Sequence, residues 1–416
     1  MAPGNPGRLI RSLAALVLLA AAVLPAALEL AGPAPFAPAW STGAVGGSAT
    51  DRAAPPRGGA GVAPARLRAG APTVDIRRTG DPANRITLVL LGDGYTAGQQ
   101  DVFRQQADNA WRALMDIEPF RTYQGFFNIR RVEVISPTTG IVEGQVKGRR
   151  PSTPLGMHFW CEGTARLLCA DENATAQYAG QGPGPQYLIA LANSTEYGGA
   201  GGTGVTTLSG GSPDAGRIIQ HEIGHTVGDL GDEYDSAPKD AGYPNLSTQG
   251  ADAMRRDHLK WWRWLGTDSP DGGGPVGAYR SANGVYRPTA DSVMRTLGGS
   301  YNLPSREAII EQLYRRVSPL DGVSPAAGRV AGRPRLTVRP LALTGGRQLQ
   351  VEWKVDGKVV PSPAPDHTWF DPAALALSPG QRVTVTATVR DTTDWVRDEA
   401  FRDQHMTRSA NWVLTG

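Results

Sequence analysis

The stretch Ser212-Pro-Asp-Ala-Gly-Arg-Ile-Ile-Gln-His221-Glu222-Ile-Gly-His225-Thr-Val-Gly228 constrains the fold of this chain more than any other. Ser212 can cap a helix, Pro213 suits its first turn, and Gly228 can end it about four turns later. At about 100° per residue, positions four apart differ by roughly 40° around the axis and about 6 Å along it, so His221 and His225 reach one ion. Two imidazole nitrogens favour zinc. Glu222 falls at the edge of the same face, within reach of a water on such an ion. Zinc acidifies that water toward neutrality, and a carboxylate that takes its proton creates a nucleophile for a polarised carbonyl and then returns the proton to the departing amine. That is the physical content of H-E-x-x-H. With 6 histidines in 416 residues the pattern is rare by chance, so the helix is read as metal-binding.

A tetrahedral catalytic site needs a third protein ligand and leaves its fourth position to water. Asp232 is the candidate, beyond Gly228, where a chain that has turned back presents a carboxylate to the ion. In H-E-x-x-H-x-x-G-x-x-H the third ligand is a histidine one position earlier, which here is Gly231, so the pattern is related but shifted by one. Glu233 is the nearest competitor. Asp229 and Asp235 crowd the same loop and read as solvated carboxylates or as groups that bond a ligand from behind. A ligand from a later helix is the other arrangement, with Glu307 or Glu311 on an expected helix from Ser305 to about Val317. His258 ranks lower and reads as a surface residue. Asp291-Ser292-Val293-Met294-Arg295-Thr296 can form a methionine-bearing turn beneath the metal, where a polarizable thioether fills irregular space.

The remainder of the chain sets the context. Lys+Arg 42 against Asp+Glu 39 leaves a net charge of +3, which announces neither a nucleic-acid binder nor a membrane-surface protein. The N-terminus carries Arg8 and Arg11, then an apolar run from Ser12 to Leu24 and small residues around Ala37-Pro38-Ala39, the pattern of a secretory signal. A signal peptide is therefore expected over residues 1–39, followed by an Ala/Gly/Pro-rich disordered linker over 40–72. Export would make the protein secreted, with no membrane association after signal cleavage. In that oxidising setting Cys161 and Cys169 are expected to pair and pin a loop.

Ordered structure is expected from Val74. Ile86-Thr-Leu-Val-Leu-Leu91 reads as a buried strand closed by a tight turn at Gly92-Asp93-Gly94, and Phe103, Ala107, Ala110, Trp111, Leu114 and Met115 recur at helical spacing. Phe126 to Ile135 reads as a second strand, and strand, helix, strand implies a parallel pair. Tyr187 to Leu191 is another short apolar run. From about Pro334 the pattern changes to period two in Arg335–Arg339, Gln348–Val355 and Arg382–Arg390, with Asp356-Gly357 as a hairpin turn, which implies an antiparallel, immunoglobulin-like sandwich. The boundary is placed near 326–333, giving a catalytic domain over 73–326 and a β-domain over 334–416. The Trp261-Trp262-Arg263-Trp264 cluster reads as packing between domains rather than a binding surface.

With these residues in view, the chain resembles the M64 family of secreted metallopeptidases, whose founding activity is cleavage of immunoglobulin A. Leu88 to Thr96, Glu118-Pro-Phe followed by Phe127-Asn-Ile, His221 to Tyr234 and Ser292-Val-Met294 carry the resemblance. It implies His221, His225 and Asp232 as metal ligands and Glu222 as catalytic acid/base, with Asp93-Gly94-Tyr95 part of the pattern but without an assigned task. The expectation is a secreted zinc (Zn2+) endopeptidase with an α/β zincin-like, metzincin-like catalytic domain and a C-terminal all-β immunoglobulin-like sandwich, acting on a protein or peptide substrate and on no nucleic acid. The alternatives are a catalytically silent secreted binding protein on the same fold and a zinc amidase acting on a cell-wall amide. No residue is recognisable as a specificity determinant, so cleavage of immunoglobulin A does not carry over.

Overall fold

The computed structural model describes residues 71–143, 152–202, 204–235, 242–270 and 273–416. The expected signal peptide over 1–39 and most of the 40–72 linker lie outside the described residues. The apolar run beginning at Ile86 forms strand β2 (Ile86–Asp93), preceded by β1 (Thr73–Arg77), and every residue of β2 is buried. A strand covered on both faces needs neighbours on both edges. Strands β3 (Phe127–Val132) and β4 (Gln186–Ala192) supply them, both parallel to β2. Helix α1 (Gln100–Leu114) makes the crossover from β2 to β3 and buries Phe103, Ala107, Ala110, Trp111 and Leu114, the residues its periodicity marks. Two short strands, β5 (Gly199–Ala200) and β6 (Thr206–Ser209), complete a six-stranded sheet of order β1-β3-β2-β4-β6-β5. Its two edge strands, β1 and β5, run antiparallel to their neighbours.

After α2 (Glu172–Ala179), the histidine helix is α3 (Ala215–Gly228). It starts later than Ser212 implies. The Ser212 carbonyl accepts from Ala215 N at 3.0 Å and its Oγ from Asp214 N at 3.3 Å, so the serine closes the turn before the helix, and Asp214 occupies the N-cap. Gly228 is the last helical residue, and Asp229 follows in the left-handed region at φ 53°. Helix α3 packs against α1, β6 and, further along, α5 (Leu303–Tyr314). Asn302 caps α5 by accepting from Ser305 N, with Pro304 in the first turn, a few residues ahead of the expected start.

Between these two helices lie α4 (Ala251–Asp257) and a small ribbon of β7 (Tyr279–Arg280) and β8 (Tyr286–Arg287). Trp261 and Trp264 are buried here; Trp261 Nε1 donates to Gly277 O at 2.7 Å and Trp264 Nε1 donates to Glu307. Their role is packing. Among the described residues no helix is long and apolar enough to cross a membrane.

The C-terminal part forms two sheets. β9 (Leu320–Ser324), β11 (Leu336–Pro340) and β14 (Trp369–Phe370) make one. β10 (Gly328–Arg329), β12 (Gln350–Val355), β13 (Lys358–Val360), β15 (Arg382–Arg390) and β16 (Thr407–Thr415) make the other, in the order β10-β16-β15-β12-β13. Asp356 and Gly357, both at positive φ, turn β12 into β13. Trp353 stacks on Phe370 and on Trp412, so both sheets feed one apolar layer. β9 precedes the expected boundary yet pairs with β11 beyond it. Buried residues form one continuous cluster from Ile86 and Phe103 through Tyr314 to Trp353 and Trp412. Within it Tyr123 and Tyr314, which precede the expected boundary, both donate to Asp391 Oδ2 at 2.7 Å, just before α6 (Glu399–His405).

Candidate metal centre

The spacing of His221 and His225 puts their rings edge to face, with centroids 4.9 Å apart. Each ring is oriented by its other nitrogen. His221 Nδ1 donates to Val293 O at 2.9 Å and His225 Nδ1 donates to Leu230 O at 2.6 Å. A carbonyl only accepts, so both protons sit on Nδ1 and both Nε2 atoms present lone pairs. Those Nε2 atoms lie 3.2 Å apart, and Asp232 Oδ1 lies 3.1 Å from one and 3.3 Å from the other. With both rings neutral, three acceptors converge with no hydrogen among them. A cation is the group that such a donor set fits, and among the described residues these three side chains form the one cluster of His, Cys, Asp or Glu able to hold a metal.

The loop after α3 explains why Asp232 and not its neighbour reaches the histidines. Asp229, left-handed, reverses the chain and lets Leu230 N donate to Gly224 O, which brings the Leu230 carbonyl to His225. Buried Asn245 then clamps Gly231, accepting from its N and donating to its O, both at 2.8 Å. Asp232 points to the imidazoles, and Glu233 points away into a fully buried network: Ser292 Oγ (2.7 Å), Asn245 Nδ2 (2.9 Å) and Asn302 Nδ2 (3.3 Å) donate to it. Asp235 pairs with Arg295 at 3.0 Å. Glu307 accepts from Trp264 and from Arg397 N, and Glu311 lines a separate cavity with Asp398, so neither belongs to the cluster. His258, exposed, stacks on Trp262 at 4.1 Å.

Charge distribution follows from this geometry. Burial lowers proton affinity at His225, but the Asp232 carboxylate outweighs it and pushes the ring up to about 8; a cation bound at Nε2 takes the place of that proton. Burial would raise Asp232; the two histidines and Tyr234 overcome it and hold the carboxyl well below its ordinary range. Tyr234 Oη donates to Asp232 Oδ2 at 2.7 Å, and burial together with that carboxylate pushes the phenol up to about 12, so it stays a donor at neutral pH. Glu222 is 7% exposed, and burial raises its carboxyl above the usual range, against the pull of the histidines.

Met294 lies fully buried against α3. A Cβ on Gly224, the residue before His225 on α3, would come within 2.6 Å of its Sδ, so only glycine lets the thioether seat there. The same turn supplies Val293 O to His221 and Met294 O to Glu233 N. On the opposite side Gly201 approaches Glu222 O too closely for any side chain. Asp93, at the C-terminal end of β2, is fully buried and accepts from Thr153 Oγ1 (2.7 Å), Leu155 N (3.0 Å) and Met157 N (2.9 Å). The motif residue without an assigned task therefore anchors the segment leading to the Cys161–Cys169 disulfide, which is formed.

A cavity of 140 Å³ opens beside Glu222, lined by Arg166, Tyr197, Gly199, Ile218, His221, Tyr234, Arg295 and Leu297. Arg166, Tyr197 and Asn245 are residues that sequence reasoning missed. They come from distant segments with no spacing relation to the histidines.

Residues 74–271 match the model of a protein family described as IgA Peptidase M64, a span that includes both histidines, Glu222 and Asp232 and ends before the Met294 turn. No curated protein matches the chain.

Proposed function

We propose that this chain, an M64-family peptidase across residues 74–271, is a secreted zinc-dependent endopeptidase in which His221, His225 and Asp232 hold the ion and Glu222 is the general acid/base. The observation that carries the reading is the convergence of His221 Nε2, His225 Nε2 and Asp232 Oδ1 within 3.1–3.3 Å of one another, both imidazoles with their protons turned outward. Nitrogen ligands favour zinc over calcium or magnesium. Bound there, zinc supplies Lewis acidity toward a peptide carbonyl and toward a water.

The chain's own residues do the rest. Val293 O and Leu230 O fix the tautomers, and Tyr234 Oη holds the second oxygen of Asp232, which keeps the ligand set pre-arranged. Glu222, in a buried setting that raises its proton affinity, takes a proton from the attacking water and delivers it to the departing amine. β5 is one edge of the sheet, and Gly199 lines the cavity, so the cavity opens where that edge meets α3.

The finer fold reading is a metzincin-like zincin, supported by Met294 packed against the histidine helix, joined to an immunoglobulin-like sandwich, supported by the Trp353, Phe370 and Trp412 layer between two sheets that are antiparallel except where β10 pairs with β16. Secretion is supported by the signal-like N-terminus and the disulfide.

Metal analysis of the purified protein with unbiased cleavage-site profiling tests the proposal. Wild type is expected to bind about one zinc and cut internal peptide bonds. Glu222→Gln should keep the metal and lose at least about 100-fold in kcat/KM, and Asp232→Ala should lose the metal. A zinc-loaded wild type that cuts no peptide favours the silent binding protein. Products from peptidoglycan alone favour the cell-wall amidase.

A further inference from the structure

We propose that Arg166 is the carboxylate-binding group of the cavity beside Glu222, so that the protein selects peptides with a carboxylate close to the scissile bond; the proposal rests on the peptidase reading above. The cavity holds two guanidinium groups. Arg295 is committed: its Nη2 pairs with Asp235 Oδ2 at 3.0 Å and its Nη1 donates to Glu233 O at 3.1 Å. Arg166 has five N–H donors, and its one side-chain bond among the described residues is from Nη2 to the Tyr234 phenol at 3.2 Å. Among the described residues no carboxylate forms an ion pair with it. With Asp232 turned to the histidines and Asp235 to Arg295, Arg166 is the cation left facing the cavity.

Arg166 stands on a fixed platform. The Cys161–Cys169 disulfide closes its loop, and His158 and Cys169 exchange backbone hydrogen bonds of 3.2 and 3.0 Å. Gly199 N donates to Arg166 O at 3.2 Å, which registers the loop against edge strand β5, and Thr207 Oγ1 donates to Leu168 O at 2.9 Å. Asp93 holds the segment that leads into the loop. The backbone of Arg166 is therefore fixed against β5 beside the cavity, while its exposed guanidinium offers a planar fork that matches a carboxylate bidentately. That carboxylate has two sources, an Asp or Glu side chain, which keeps the cut internal, or the substrate's own C-terminus, which would make the peptidase cut from the end instead.

The test measures binding and turnover separately. Zinc-loaded Glu222→Gln protein is titrated by calorimetry with matched peptides carrying Glu or Gln near the scissile bond, each with a free or an amidated C-terminus. The carboxylate peptides are expected to bind about tenfold more tightly than their neutral isosteres. The series in which the preference appears identifies the source. Adding Arg166→Gln should erase the preference, and Arg166→Lys should keep part of it through charge without the fork. In otherwise wild-type protein the Arg166→Gln loss should fall on KM, with kcat little changed. Equal binding of charged and neutral peptides, a preference that survives Arg166→Gln, or a loss confined to kcat overturns the proposal. Hydrolysis without a carboxylate preference removes Arg166 and leaves the peptidase reading standing; carboxylate-selective binding without hydrolysis does the reverse.

Discussion

Adjacent side chains at this centre have opposite fates, and the difference is set by partners rather than by residue type. Asp232 and Glu233 are neighbouring carboxylates, yet one faces two imidazoles and the other is buried among Ser292, Asn245 and Asn302. Their spacing after His225 left both open as ligands. The choice depends on the Asn245 clamp on Gly231, a contact made across the fold that no local pattern encodes. The histidine pair, by contrast, was legible because it follows from helix geometry alone. Tyr234 supports Asp232 from behind, so Tyr234→Phe is expected to weaken metal affinity by about tenfold or more with the fold intact, measured by competition with a chelator. Gly224→Ala should destabilise the protein by about 1–3 kcal/mol, read in a denaturant melt, because the new methyl meets Met294 Sδ at 2.6 Å in a packed core.

At the scale of elements, β2, α1 and β3 were readable because long apolar runs and helical periodicity express burial directly, while β4 showed only as a short apolar run. β5, β7 and β8 have two residues each and carry no period to detect. The start of α3 was misplaced because Ser212 caps a turn, a local bond that looks in sequence like a helix cap. Contacts between elements were equally silent. Glu133, one residue past β3, accepts from Arg104 of α1 through Nε at 2.9 Å and Nη2 at 2.8 Å, and from Arg131. Hydrogen bonds from Arg104 come first in holding its carboxyl down to about 2; burial opposes them, and Arg131 adds to them. A carboxyl depressed in the folded state contributes stability above its unfolded pKa, about 4.3, and loses it as pH falls toward the folded value. The gap in urea midpoint between wild type and Glu133→Gln is therefore expected to be full at pH 6 and to close progressively from about pH 4.5 down toward 2. A gap that stays constant over that range would remove the pair from the stability account.

For the whole molecule, the period-two strands after Pro334 announced a β-rich segment, but not its attachment to the rest. The described residues from 71 onward fall within one compact unit, and a single apolar cluster joins the main sheet to Trp353 and Trp412. Asp391 is the polar link, with Tyr123 and Tyr314 donating to one oxygen and Thr393 N to the other. Asp391→Ala leaves buried phenols without an acceptor and is expected to cost about 3 kcal/mol. Tryptophan fluorescence and metal release should then report one shared unfolding transition at a lower urea midpoint, and two separated transitions would show that the parts unfold independently. The attachment also bears on inheritance. Recombination that exchanged residues 334–416 for an unrelated β-module would strip two tyrosines of their common acceptor and open the apolar layer beneath them. Shuffling is therefore penalised at this seam, and the two parts are expected to be passed on as one piece.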